Sequence, residues 1–139
     1  MAEYIKYLPQ APGLLPKWLL FISVVSAFNS AQSYFGGLSL TRRVYEASPD
    51  QVTGLSARTF GTWTFVTALV RLYGAYCIDN PAVYDITYAT YIIAFMHFSS
   101  EWLIYKTAKL GKGLAGPLIV STTTLVWMTL QRNFYLGLE

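Results

Sequence analysis

The sequence predicts an all-α integral membrane protein: a bundle of four spanning helices that forms one domain over residues 1–139. Hydrophobic residues make up 54% of the chain and charged residues only 12%, about half the charge that a soluble domain usually carries. Apolar runs of spanning length recur four times, at about 15–37, 55–78, 82–105 and 115–136. The stretches between them are short, polar and rich in turn residues, as expected of loops joining neighbouring helices.

The first run opens at Leu14 and Leu15, passes Pro16, Lys17 and Trp18, and reaches Phe35 with no charge after Lys17. Proline suits a first helical turn, and lysine and tryptophan suit a membrane interface. Residues 1–13 lack the basic and apolar regions of a secretory signal, so this run is expected to remain in the protein. From Leu38 to Thr53 the chain turns polar, with Thr41, Arg42, Arg43, Glu46, Ser48, Pro49 and Asp50. That composition predicts a loop with a short surface helix around Arg42 to Ala47. The second run, Leu55 to Ile78, holds Arg58 and Arg71.

Asp79, Asn80 and Pro81 make a compact turn into the third run, Ala82 to Tyr105, so the second and third spans should form an antiparallel hairpin. The third run holds Asp85, His97 and Glu101. Lys106, Lys109, Gly111, Lys112 and Gly113 then form a basic, glycine-rich loop before Gly116, Pro117 and the last run from Leu118 to Leu130. Phe134 and Tyr135 place the tail near an interface. The halves show no internal repeat.

Ionisable groups inside spans are costly and face protein or water, which singles out Arg58, Arg71, Asp85, His97 and Glu101 as structural polar positions. Arg58 lies 22 residues before Asn80 and Glu101 lies 21 after it. Equal depth on a hairpin predicts that they pair. Arg71 and Asp85 are offset by roughly 6 Å along the axis, within reach of an arginine, and form a second expected pair. His97 and Glu101 are one turn apart on one face, where they could hold a proton or a metal. Loops one and three share a side and contain Arg42, Arg43, Lys106, Lys109 and Lys112, candidates for partner or anionic-lipid contact. The positive-inside rule puts these loops in the cytosol and both termini across the membrane.

Several chemistries are disfavoured. Cys77 is the only cysteine, so there is no internal disulfide and no thiol pair for zinc or redox work. One histidine with one glutamate supplies too few ligands for a metal centre, and no serine or cysteine has a histidine-based activating system. GKGLAG at Gly111 has the spacing of a dinucleotide fingerprint, but it sits between helices rather than between a strand and a helix. Tyr105 and Lys109 match a reductase spacing with no sheet to support it. The same stretch satisfies a loose cholesterol pattern that is common at helix ends. The basic residues are too scattered for nucleic acid. No catalytic residue, cofactor or metal is therefore expected. Ser23, Ser26, Ser30, Ala57, Gly61 and Ser121 to Thr124 favour close helix association instead.

Six segments together resemble the ergosterol biosynthetic protein 28 family: LPKWLLFIS from Leu15, LSARTFGTWTF from Leu55, YGAY from Tyr73, HFSSE from His97, KLGKGLAGPL from Lys109, and STTTLVWM ending at Met128. The resemblance runs from about Leu15 to Tyr135. It implies a multi-pass endoplasmic-reticulum protein that is not an enzyme. Such a protein would be a scaffold that tethers a sterol C4-methyl oxidase, a sterol C3 dehydrogenase/decarboxylase and a 3-keto sterol reductase, raising their effective concentration. Lipid and sterol contact fit this role, and both a monomer and a homodimer are compatible with it. Two other readings compete: a sterol-binding carrier or membrane enzyme using His97 and Glu101, and a proton-coupled transporter using Arg71 and Asp85.

Overall fold

The computed structural model describes residues 6–138. It is all-helical, with no strand among the described residues. Among the described residues six α-helices run in order: α1 Leu15–Phe35, α2 Ser39–Val44, α3 Gly54–Tyr76, α4 Pro81–Leu103, α5 Lys112–Leu130 and α6 Arg132–Leu136, with a 3-10 turn at Pro49–Gln51.

Local chemistry sets the boundaries. Pro16 occupies the first turn of α1. Thr53 and Ser56 form a reciprocal capping box at the start of α3, each side chain accepting from the other residue's backbone N–H. Asn80 Oδ1 accepts from the Ala82 and Val83 amides at 3.0 and 3.3 Å, with Pro81 at the first helical position. These caps satisfy donors that a helix start leaves orphaned. The last run departs from expectation. Lys112 and Gly113 belong to the first turn of α5, and the Ala115 amide bonds back to the Gly111 carbonyl. Pro117 follows inside α5, where its missing N–H leaves the Gly113 carbonyl without the usual helical donor. The expected continuous span to residue 136 breaks at Gln131 and resumes as α6.

The four long helices alternate in direction, and α1 against α3 is the most extensive pairing. Their contact is a seam of small side chains: Ser26, Ser30 and Ser33 on α1, Ala57, Gly61 and Ala68 on α3. Ser30 Oγ donates to the Gly61 carbonyl at 2.6 Å. A Cβ on Gly61 would sit 2.9 Å from the Ser30 carbonyl oxygen, so glycine is what allows this approach. Between α3 and α4, Arg71 meets Thr90, and Val70 meets Thr87, which is antiparallel register about the Asn80 turn. On the other side of α4, Tyr84 and Tyr88 hydroxyls reach the Met128 carbonyl and Thr129 Oγ1 on α5 at 2.6 and 2.7 Å. Trp18 Nε1 donates to Thr124 Oγ1 at 2.8 Å and ties α1 to α5.

Two apolar clusters fill the interior. One, near the termini, gathers Leu15, Leu19, Ile22, Ala75, Ile78, Tyr84, Tyr91, Met128 and Tyr135; the other, at the opposite end, gathers Val44, Ala94, Phe98, Ala108 and Leu114. By length and composition, α5 alone among the described helices is apolar enough to cross a membrane. The serines of α1, the arginines of α3 and the ionisable groups of α4 lower the average for the other three.

Candidate functional site

The polar groups that sequence places inside spans gather mainly at the end of the bundle opposite the termini. There α2, the loop before α3, the start of α3, the end of α4 and the loop before α5 meet around a cleft of about 500 Å³. Its walls include Phe60, Trp63 and Ile93, and its polar groups include Tyr45, His97, Glu101 and Thr107.

The His97 Nε2 and the Tyr45 hydroxyl are 2.6 Å apart, and the histidine tautomer sets which of them donates. Rings hold the imidazole in place: Phe98, Trp63 and Tyr45 lie with centroids 5.0, 5.2 and 5.9 Å away, all near edge-on. One turn further along α4, Glu101 Oε1 accepts from Thr107 Oγ1 at 2.6 Å. The backbone wraps the same corner: the Ala108 amide bonds the Glu101 carbonyl and the Ala47 amide bonds the Thr107 carbonyl, both at 3.1 Å. Next to Thr107, Lys106 takes φ +60°, a left-handed conformation that a lysine adopts at a cost. Burial first, and the Glu101 carboxylate second, hold the Tyr45 phenol well above the usual tyrosine range. The cleft can thus offer hydroxyl, imidazole and carboxylate hydrogen-bonding groups to an apolar molecule with one polar end. Among the described residues no group of three or more His, Cys, Asp or Glu could hold a metal ion.

The two expected arginine–carboxylate pairs do not form. The one ion pair among the described residues joins Asp85 to Arg132 at 3.1 Å, with two further bonds between the same groups at 3.1 and 3.2 Å. Arg58 is exposed and Glu101 is engaged by Thr107. Depth matched, but phase did not: Ala57 and Gly61 are on the buried seam of α3, and Arg58 points about 100° away from Ala57. Asp85 likewise follows the buried Tyr84 and faces outward, where Arg132 at the start of α6 lies beside it. Arg71 instead turns inward, and its Nε donates to Thr90 Oγ1 at 3.1 Å. Arg42, Arg43, Lys106, Lys109 and Lys112 are all exposed and, with Arg58, rim the cleft end of the bundle. Sequence reasoning missed Tyr45, Thr107 and Arg132 as partners, since two are loop residues and the third lies beyond the last long helix.

Gly113 explains the glycine spacing of GKGLAG. A Cβ there would collide with the Arg43 backbone carbonyl, so the glycine lets α2 lie against α5. The motif is a packing device between two helices.

These features define a helical bundle protein with a polar, aromatic-walled cleft and a basic rim at one end. The family model described as "Erg28 like protein" matches residues 15–126, and the chain belongs to that family. It is 58% identical to Ergosterol biosynthetic protein 28 of Saccharomyces cerevisiae over 125 residues, covering 90% of this chain and 84% of that protein. The protein of the same name from Candida albicans is 61% identical over 125 residues, 90% of each chain. The homolog from Homo sapiens is 36% identical over 116 residues, 84% of this chain and 83% of that protein. These names tie the family to ergosterol biosynthesis. No solved structure matches the chain.

Proposed function

We propose that this chain is a non-catalytic scaffold of the endoplasmic-reticulum membrane. It would cross the bilayer with all four long helices and tether a sterol C4-methyl oxidase, a sterol C3 dehydrogenase/decarboxylase and a 3-keto sterol reductase. The observation that carries the membrane reading is the inverted distribution of side chains. Phe21, Val24 and Phe28 on α1, Val66, Leu69 and Tyr73 on α3, Ile86, Ile93 and Met96 on α4, and Ile119, Val126 and Leu130 on α5 are exposed; Ser26, Ser30, Thr87, Thr90, Ser121 and Thr124 are buried. Apolar surface this extensive needs lipid or partner protein against it, and hydroxyl-lined helix contacts suit a bilayer.

The basic rim supports an orientation with the cleft end in the cytosol. It also offers Arg42, Arg43, Lys106, Lys109 and Lys112 to acidic partner segments or anionic lipid. Tethering adds effective concentration for successive enzymes and requires no reacting group on the tether itself. The cleft favours a second reading, a sterol carrier whose ligand places its oxygen near His97 and Glu101.

The test combines topology and crosslinking. In a Cys77→Ser background, Lys109→Cys should react with an impermeant maleimide in intact microsomes, and Asp79→Cys only after permeabilisation. Photocrosslinkers on the rim should recover the three enzymes, and neutralising the five basic residues should reduce that recovery. Equal labelling of both ends would overturn the topology. Sterol turnover by the isolated chain would overturn the scaffold, and saturable sterol binding lost in Glu101→Gln would favour the carrier.

A further inference from the structure

Between the two apolar clusters lies a second cavity of about 240 Å³, reached by α1, α2, α3, α4 and α5. Arg71 lines it and is only 7% exposed. Its guanidinium lies 3.9 Å from the centre of the Tyr91 ring, with Nε and Nη2 turned to the Thr90 hydroxyl and carbonyl at 3.1 and 3.5 Å. No carboxylate pairs with it, since the one described ion pair is Asp85 with Arg132. Arginine does not escape burial by losing its proton. A guanidinium removed from water without a counter-charge leaves a large desolvation cost only partly offset by a hydroxyl, a carbonyl and a ring face.

Ser26 and Asn29 of α1 line the same cavity, and neither side chain has a hydrogen-bond partner among the described residues. The other walls are largely apolar, including Ile22, Val44, Phe98 and Val120. A positive charge, an uncommitted hydroxyl and an uncommitted amide therefore converge on one half-open, largely apolar space. That is the chemistry of a receptor for an oxyanion attached to an apolar body: the fork of the guanidinium takes two oxygens, and the hydroxyl and amide donate to the remaining lone pairs. The volume admits a carboxylate or phosphate with a few carbons, or about eight waters at their liquid volume. A polar residue that served only to fix helix register would not need a cavity of this size in front of it.

We propose that the Arg71 cavity binds the oxyanion of an amphipathic, largely apolar molecule, the anion acting as the counter-charge that the fold withholds from Arg71. Carboxylate and phosphate share this chemistry, and the source can be a free acid or a phospholipid headgroup.

The experiment uses the full chain in phosphatidylcholine nanodiscs and reads the thermal midpoint of unfolding. The probes are decanoate, methyl decanoate, phosphatidate and inorganic phosphate. Decanoate or phosphatidate should raise the midpoint in a saturable way, with the neutral ester at least about tenfold weaker, as expected for loss of one charge-assisted contact. Stabilisation by decanoate assigns the free acid, and stabilisation by phosphatidate alone assigns the headgroup. Inorganic phosphate should have no effect. Arg71→Gln should remove the preference for the anion. Because that variant changes a buried group and can fail to fold, Ser26→Ala combined with Asn29→Ala is the second arm and should weaken the acid several-fold while leaving the ester unchanged. Equal effects of acid and ester, or a preference that survives both sets of substitutions, would mean the cavity holds water only and would overturn the proposal.

Discussion

Gly61→Ala puts the helix seam to its most direct test. The added methyl would sit 2.9 Å from the Ser30 carbonyl oxygen, 3.2 Å from the Tyr34 amide nitrogen and 3.4 Å from Ser33 Cβ. The nearest of these is backbone, which cannot rotate away, so α1 and α3 must separate by several tenths of an ångström. Separation also stretches the Ser30 Oγ to Gly61 carbonyl bond, now 2.6 Å. Forcing a methylene into a close-packed contact costs about 1–3 kcal/mol, and an interhelical hydrogen bond in a membrane contributes about 0.6 kcal/mol. The higher helix propensity of alanine returns up to about 1 kcal/mol. The net expectation is a loss of about 2 kcal/mol, measured by reversible unfolding in mixed detergent micelles. Ser30→Ala should cost about 0.6 kcal/mol alone and less in the Gly61→Ala background, because the methyl has already weakened that bond. Wild-type stability in Gly61→Ala, or strict additivity of the two, would refute the close-contact account of α1 and α3.

Three further outcomes follow from the cleft end. Lys106→Gly relieves a left-handed backbone and should stabilise the chain by about 0.5–1 kcal/mol, visible as a raised thermal midpoint; a lowered one would mean the lysine side chain has a role there. Arg58→Gln should change stability by less than about 0.5 kcal/mol, whereas Glu101→Gln weakens the charge-assisted bond from Thr107 and should cost about 1 kcal/mol. A double-mutant cycle giving measurable Arg58–Glu101 coupling would contradict the observed geometry. The Tyr45 phenol is raised above its ordinary value, so the folded state holds this proton more tightly than the unfolded chain does. Its contribution is complete below the unfolded value of about 10 and is lost as pH rises beyond it. Stability measured from neutral to strongly alkaline pH should fall less steeply in Tyr45→Phe than in wild type, and parallel curves would count against a buried phenol.

Length, turn chemistry and interface residues are local signals, and they placed the first three long helices to within two residues, whereas the last starts earlier, at Lys112, and stops at Leu130 rather than near residue 136. Pro16, Thr53, Asn80 and Pro81 act within one turn of themselves, so no tertiary knowledge is needed to interpret them. Charge pairing is a different kind of problem. Residue number gives depth along a hairpin at about 1.5 Å per residue, but a contact also requires azimuth, and each single-residue step turns the side chain by about 100°. Arg58 and Glu101 agree in depth and disagree in azimuth; Asp85 finds Arg132, a residue 47 positions away on another element. The cleft was partly legible through His97 and Glu101, one turn apart. Tyr45 and Thr107 reach them from irregular segments, which carry no periodicity from which a facing side could be deduced.

For four helices that cross the bilayer as proposed, the same azimuthal blindness explains why α5 alone among the described helices is apolar enough by composition to span. Mean hydropathy sums around the whole circumference of a helix. On α1 the outward Phe21, Val24 and Phe28 are averaged with the buried Ser23, Ser26, Ser30 and Ser33, and on α3 the outward Val66 and Leu69 with Thr67 and Arg71. Two of the polar residues that depress the average, Ser30 and Arg71, bond directly to the neighbouring helix, at Gly61 and Thr90. Replacing Ser26, Ser30 and Ser33 with leucine would raise the mean hydropathy of α1 while filling the space that lets α3 approach. Polarity on the seam and oil on the outward faces are thus two halves of one design, and a bundle that assembles through hydroxyl contacts will look less like a membrane protein helix by helix than it does face by face.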